Sequence, residues 1–322
     1  MKWVDAWLSS LRHNSSTVLS LSLQENQARW VCGVVEQQQR FKLSRVLASG
    51  ASPLSQWLNP ETGIVQSEAL ANTLSNALGQ LPSGVKPSGV VISVPDKWAY
   101  FGELNTPENE QEDTIRYQVE ELLESVVGDA DRAIAHDWQL KSTLSDGSVA
   151  WAVAGIDQRH VDEIEMACST LKLKLCGITV SNLAALNGYL QMLPQGQTRT
   201  GGSLMLYAHL DKHRIHLTVY QDAMLINEAL ETSDEGFTTV QAVSALERIV
   251  TIWSRDHGAL SEQKPVLIVG GAMMGTRGID VIIRRSAFLA PLWLEVSPRR
   301  DLATHWHEDV VPFGALEALP CA

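Results

Sequence analysis

The sequence is short of positive charge. Its 322 residues contain 37 acidic and 25 basic side chains, which gives a formal net charge of −12. Non-specific binding to nucleic acid requires clustered Lys and Arg side chains that neutralise phosphates. We therefore expect no nucleic-acid partner.

Long apolar runs and cysteine motifs are also absent. No stretch approaches the roughly 18 apolar residues that a membrane helix needs, and Asp5 lies where a secretory signal would begin its apolar run. The four cysteines have neither metal-ligand spacing nor the density of a disulfide scaffold. We expect a cytoplasmic protein with reduced thiols, which reaches a membrane only through a partner.

The sequence lacks the common catalytic motifs. It contains no Gly-x-Ser-x-Gly, His-Glu-x-x-His, Walker A or Cys-x-x-Cys pattern. Histidines cluster near acidic residues at 209–216 and at 305–307. Imidazole and carboxylate groups are common metal ligands, but we favour ordinary surface hydrogen bonding for both clusters. We predict no catalytic residue and no metal site.

The most informative stretch that is present is Pro265–Gly275. Five residues predict a buried strand, Gly270 and Gly271 follow at once, and a helix is predicted next. A Gly-Gly pair allows a tight turn and the close approach of another group. In nucleotide-binding α/β proteins that group is often the ligand. The alternative is a strand-to-helix turn that binds nothing.

The order of predicted elements indicates two halves. A strand–turn–strand unit opens each half, at 17–35 and at 203–219, which suggests a structural repeat. Residues 99–176 form a separate pattern of strands and helices, including a helix at Pro107–Leu123 whose first turn contains the acidic run Glu108–Glu112. That run indicates either a solvated face or a surface for a basic partner. Ser181 is predicted to be the N-cap of a helix. Thr198–Ser203 is predicted to be a linker, and residues 1–12 are predicted to form a short helix that packs on the rest of the protein.

Four segments carry a family resemblance. They are Val90-Val-Ile-Ser-Val-Pro95, Cys176-Gly-Ile-Thr-Val-Ser-Asn-Leu-Ala-Ala-Leu186, Leu217-Thr-Val-Tyr-Gln-Asp-Ala-Met-Leu-Ile226 and Val266–Ala272. In this order they resemble the actin-like ATPase superfamily, and most closely the PilM family of type IV pilus assembly proteins. The Rossmann fold is a weaker match, because its glycine loop comes early in the chain.

The resemblance implies an α/β, actin-like two-lobe fold of ribonuclease H-like repeats, with a small α+β subdomain inserted in the first lobe. Residues 1–98 and 177–200 would form the first lobe and residues 99–176 the inserted subdomain. Residues 201–322 would form the second lobe, whose C-terminal helix could pack on the first.

The sequence departs from the family at two hairpins. Actin-like ATPases carry Asp-x-Gly there, where Asp helps to hold the metal and Gly lets backbone N–H groups surround phosphate. This chain has Ser22-Leu23-Gln24 and His209-Leu210-Asp211 instead. We expect no ATP hydrolysis and weak or lost ATP binding. The remaining cofactor contact implied by the resemblance is an adenosine-side loop of Gly270, Gly271 and Ala272.

The resemblance also implies a function. A PilM-like protein would be a cytoplasmic scaffold, peripheral to the inner membrane, in a type IV or competence pilus. It would bind the cytoplasmic N-terminal tail of a PilN-like membrane partner near residues 99–176, and further partners would be other platform proteins or an assembly ATPase. One alternative is a GspL-like cytoplasmic domain that recruits a secretion ATPase, although that family usually continues into a membrane span. The other is an active ATP-dependent enzyme of the actin or sugar-kinase type, which needs intact phosphate loops.

Overall fold

The structure, a computed structural model, describes residues 16–24, 27–37, 41–54, 56–128, 132–144, 146–192, 204–221, 224–257, 265–276, 278–294 and 306–317. The predicted helix at 1–12 and the predicted linker Thr198–Ser203 lie outside these residues. The chain divides into two compact units, one of Met1–Ala184 with Val311–Ala322 and one of Ala185–Val310.

The described residues alternate strands and helices along the chain. The strands are β1 (Ser16–Leu23), β2 (Gln27–Gln37), β3 (Phe41–Pro53), β4 (Gly89–Val94), β5 (Ala99–Pro107), β6 (Ile134–Thr143), β7 (Ser148–Asp157), β8 (Lys174–Val180), β9 (Leu204–Leu210), β10 (Arg214–Gln221), β11 (Met224–Thr232) and β12 (Val266–Gly270). The helices are α1 (Ser67–Gly79), α2 (Glu112–Val127), α3 (Gln158–Thr170), α4 (Ser181–Gln191), α5 (Thr239–His257), α6 (Ile279–Arg285) and α7 (Trp306–Glu317).

The first unit is built on a five-stranded sheet in the order β3-β2-β1-β4-β8. β1 pairs antiparallel with β2 and parallel with β4, and its last six residues are all buried. Such burial on both faces is expected of a central strand in an α/β sheet. Leu19 and Leu21 pack in one core with Leu70 and Leu74 of α1. From Val311 onward, α7 belongs to this unit, and Leu316 lies beside Gly33 of β2.

The first unit also contains a smaller antiparallel sheet in the order β5-β7-β6. Its strands come between β4 and β8 in the sequence. Helix α2 covers one of its faces with Ile115, Val119 and Leu123, which form a core with Val153. Gly102 lets the helix come close, because a Cβ atom there would stand 2.8 Å from Leu122. The sheet therefore has one face covered by its own helix.

The second unit contains a four-stranded sheet in the order β11-β10-β9-β12. β9 runs antiparallel to β10 and parallel to β12, which repeats the arrangement of β1 with β2 and β4. Helix α5 packs Leu246 and Val250 against Leu206 and Leu217 of the sheet. The repeated strand–turn–strand unit predicted for each half is therefore present in both.

Several local predictions need correction. Strand β3 was not predicted, because most of its side chains are polar, small or half-exposed and it pairs only with β2 among the described strands. The helix predicted from Pro107 begins at Glu112, since Pro107 ends β5. Ser181 is not the N-cap of α4: its hydroxyl donates to the Val94 carbonyl, and Asp96 accepts the Asn182 N–H at 2.9 Å.

In the described part of the chain, no helix combines the length and apolar character needed to cross a membrane. The described cysteines, Cys32, Cys168 and Cys176, are free and buried. Burial raises the pKa of each thiol to about 12.

Candidate functional site

The Gly-Gly stretch forms a tight turn after β12. The strand ends at Gly270, and Gly271 takes φ +96°, a conformation that favours glycine. Ala272 begins a single 3-10 turn that ends at Gly275, and α6 starts only at Ile279. The predicted turn is therefore present, whereas the helix expected directly after it is a short 3-10 segment.

Both glycines are needed for contacts within the second unit. A Cβ atom on Gly270 would collide with the ring and hydroxyl of Tyr189, a fully buried residue of α4. A Cβ atom on Gly271 would stand 2.5 Å from the Leu210 carbonyl oxygen and 2.7 Å from its nitrogen. The space beside the turn is thus filled by an aromatic ring and by the end of β9.

The second hairpin carries a row of polar side chains along β9. His209 Nδ1 lies 2.9 Å from the Tyr207 hydroxyl, and His209 Nε2 lies 3.1 Å from Asp211 Oδ2. Leu210, which lies between His209 and Asp211 in the sequence, is buried in the core of the second unit. In the alignment that the resemblance implies, Asp211 stands at the glycine position, and its carboxylate adds negative charge to the end of the strand.

The first hairpin also differs from a phosphate loop. Ser22 is buried at the position of the family's metal-binding Asp, and Leu23 is anchored in the core. The Gln24 side chain, at the glycine position, accepts a hydrogen bond from Gln27 Nε2 at 3.3 Å. A hydroxyl and an amide carry no charge with which to hold a metal cation.

The two hairpins and the Gly-Gly turn each differ in local chemistry from the phosphate and adenosine loops that the resemblance implies. Phosphate binding in this fold needs exposed backbone N–H groups with little side-chain bulk nearby. Here the glycine positions carry Gln24 and Asp211, and Tyr189 fills the space beside Gly270. The carboxylate of Asp211 would repel phosphate.

The histidines of residues 209–216 do not converge. His213 Nδ1 lies 3.0 Å from the Ser233 carbonyl, and His216 Nε2 lies 3.0 Å from Glu228 Oε2. Each of the three imidazoles therefore has different partners. No group of three metal-ligating side chains occurs among the residues that the structure describes, and His305 lies outside them.

An aromatic cluster that the sequence did not reveal joins the small sheet to the core of the first unit. The Trp98 ring stacks on the imidazole of His160 in α3, with 3.8 Å between the ring centroids, and its centroid lies 5.3 Å from that of Trp57. His160 Nδ1 accepts the Val65 N–H at 3.4 Å. Desolvation by burial lowers the pKa of His160 to about 4, so the ring is neutral at pH 7.

Asp157, at the end of β7, fixes the start of α3. Its side chain accepts the Arg159 N–H at 2.9 Å and lies 2.6 Å from Arg132. Burial raises the pKa of Asp157, but the hydrogen bonds from Arg159 and Arg132 outweigh that effect and hold it well below its usual range. Asp157 thus links the residues before β6, the end of β7 and the start of α3.

The face of the small sheet that α2 does not cover is exposed and acidic. Ala152 and Ala154 of β7 lie at its centre, where Ala152 pairs with Glu103 and Ala154 with Asp137. Glu103, Asp137 and Ala154 are all exposed. At one end, an open groove of about 630 Å³ is lined by Asn105–Glu110 and Asp146–Ser148.

The negative charge of the chain is concentrated in this region. Residues 99–176 contain 16 acidic and 6 basic residues, a formal net charge of −10 out of −12 for the whole chain. The remaining residues are therefore close to neutral. Such a local excess attracts cationic segments over about 10 Å or less in physiological salt.

Comparison with known proteins places the fold. No protein-family model matches the sequence, and no curated protein matches it either. Among solved structures, the chain is similar to a chain of a PilM–PilN type IV pilus biogenesis complex, with a TM-score of 0.65 and 14% identity over 93% of this chain and 97% of that one. It is also similar to the cytoplasmic domain of EpsL, an inner-membrane component of the type II secretion system of Vibrio cholerae. There the TM-score is 0.43 and the identity 15%, over 80% of this chain and 82% of that one.

The chain therefore has an α/β, actin-like two-lobe fold, as the order of sequence segments predicted. Within that class its fold is similar to that of the chain from the PilM–PilN complex. At 14% identity, this likeness establishes the fold alone.

Proposed function

We propose that this protein is a cytoplasmic scaffold of a type IV pilus assembly platform, and that it binds the cytoplasmic N-terminal tail of a PilN-like inner-membrane protein. The observation that carries the proposal is the likeness, over nearly the whole length of both chains, to a protein solved in a PilM–PilN complex. Binding to the tail would hold the protein at the membrane.

The open face of the small sheet is the proposed binding surface. Cytoplasmic segments next to a membrane helix are enriched in Lys and Arg, and this face carries the exposed acids Glu103 and Asp137 in the most acidic part of the chain. An extended peptide lying over Ala152 and Ala154 would place its basic side chains beside these carboxylates. Because β7 pairs with both β5 and β6, such a peptide would bind this face through side chains and not through backbone hydrogen bonds to β7.

The proposed scaffold does not hydrolyse ATP. Support comes from Asp211 at a glycine position and from the aromatic ring packed against Gly270. Phosphoryl transfer depends on positioning and on charge stabilisation of the phosphates, and an acidic side chain works against both. Recruitment of a protein partner, rather than nucleotide turnover, would then be the function.

Co-expression with a PilN-like inner-membrane protein from the same organism tests the proposal. We expect the protein to sediment with membranes when the partner is intact, and to leave the membrane fraction when the partner lacks its N-terminal tail. ATP turnover by the purified protein should stay at the level of a buffer blank. Release from membranes in the presence of the intact partner would contradict the scaffold role, and ATP turnover would contradict the loss of catalysis.

A further inference from the structure

Tyr189 occupies an unusual position in the second unit. It lies on α4, is fully buried, and its ring centroid is 5.6 Å from that of Tyr207 on β9. A Cβ atom added to Gly270 would collide with the Tyr189 hydroxyl oxygen and would stand 2.5 Å from two carbons of its ring. The hydroxyl end of the ring therefore lies directly against the bare Cα of Gly270.

The neighbouring Gly271 also interacts with this side chain. Burial raises the pKa of the Tyr189 phenol, and the nearby backbone N–H of Gly271 opposes this rise without cancelling it. The two glycines thus present to Tyr189 the features that such a turn offers to a ligand: a bare Cα for close approach and a backbone donor.

A comparison with Gly278 shows that the contact is specific to this turn. Gly278 has φ +97°, almost the same as Gly271, but a Cβ atom there would have no neighbour within 4 Å. Gly278 is thus required by backbone conformation alone. Gly270 and Gly271, in contrast, both border atoms of the protein itself, namely the Tyr189 ring and the Leu210 backbone.

We propose that Tyr189 is an internal substitute for a ligand at this turn: its planar ring takes the volume above Gly270 that a planar heterocycle of the adenine class would need. This inference rests on the proposed loss of nucleotide function, and it identifies Tyr189 as the side chain that prevents nucleotide binding. Replacing Tyr189 by a small residue opens a cavity bordered by Gly270 and Tyr207. Cavities of this kind bind small aromatic compounds that match the missing ring.

The test uses the full chain with Tyr189→Ala and two probes, p-cresol and adenosine, in calorimetric titration and thermal unfolding. We expect the wild-type protein and Tyr189→Phe, which keeps the ring, to bind neither probe at millimolar concentration. Tyr189→Ala should bind both, and both should raise its unfolding temperature. Tyr220→Ala is the control, because Tyr220 is equally buried on β10, which β9 separates from β12; it should gain no adenosine binding.

Each other outcome overturns the inference. Binding of p-cresol alone by Tyr189→Ala would show a ring-shaped cavity that does not accept adenine, and binding of neither probe would show that no cavity opens. If the alanine variant does not fold, Tyr189→Leu replaces it, since leucine keeps apolar volume but leaves the plane of the ring open. Adenosine binding by the wild-type protein would contradict the proposed loss of nucleotide function itself, whereas loss of tail binding would contradict only the scaffold role.

Discussion

The ring of Tyr189 lies in the place where any side chain on Gly270 would have to lie. The two residues are 81 positions apart in sequence, on α4 and at the end of β12. Their contact explains why the strand ends in glycine without reference to a ligand. It also means that the two residues must be energetically coupled.

This coupling can be measured with a double-mutant cycle. Gly270→Ala should destabilise the wild-type protein by about 1–3 kcal/mol, because an overpacked core must shift. In a Tyr189→Ala background, which itself loses about 3–5 kcal/mol, the added methyl group should cost little. Urea unfolding of the four proteins gives the coupling energy. Additive effects would show that the ring does not press on Gly270.

Gly271 offers a separate test of close packing. Gly271→Ala should destabilise the fold by about 3 kcal/mol or more, since it adds a clash with Leu210 to the strain of a positive φ. Gly278→Ala carries only the strain of a positive φ and should lose about 1 kcal/mol. Unfolding free energies of both variants are compared directly. Equal losses would mean that the Leu210 contact is relaxed easily.

His160 predicts a pH dependence of stability. Its pKa is lowered from 6.5 to about 4 in the folded protein, so below pH 6.5 the unfolded chain binds a proton that the folded chain does not. The contribution of the neutral His160 to the free energy of unfolding is therefore fully present above pH 6.5, and it is lost progressively as the pH falls toward 4. The loss between pH 7 and pH 5 should be about 2 kcal/mol, measured by urea unfolding at both pH values.

The control for this pH dependence is His160→Phe, which keeps an aromatic ring against Trp98 but cannot titrate. Asp157 does not interfere in this window, because its pKa is lowered and it gains a proton only at more acidic pH. We expect the variant to lose most of the difference in stability between pH 7 and pH 5. An unchanged difference would assign the effect to other groups.

Charge reversal tests the proposed binding face. Glu103→Lys combined with Asp137→Lys should weaken binding of the partner's tail by about tenfold, because several surface charge pairs of modest strength are lost or reversed. The effect should shrink at high salt. Asp234→Lys combined with Glu235→Lys reverses two exposed acids of the second unit and is the matched control. Equal behaviour of both variants would place the binding surface elsewhere.

The sequence predicted most of the architecture because its central strands carry strong local patterns. The alternating leucines of β1 and the apolar runs of β4 and β12 are visible without any tertiary information. Strand β3 was missed because it is held mainly by pairing with β2, while its own side chains are largely polar or small. Local pattern alone does not report such pairing.

The candidate site was less accessible to sequence analysis. The Gly-Gly turn was predicted from composition, but the residue that fills it, Tyr189, is one aromatic in a helix and gives no local signal. The stacking of Trp98 on His160 joins residues 62 positions apart. Asp96, which caps α4 in place of the predicted Ser181, is likewise distant in sequence from the Asn182 N–H that it accepts. In each case the partner is chosen by tertiary packing, and residue spacing does not encode it.

The decisive experiment is a calorimetric titration of the purified protein with the synthetic cytoplasmic tail of the PilN-like partner, repeated with millimolar Mg-ATP. We expect saturable binding at one tail per chain, with the same affinity in the presence and absence of nucleotide. Absence of binding, or binding that requires ATP, would contradict a scaffold that works without nucleotide.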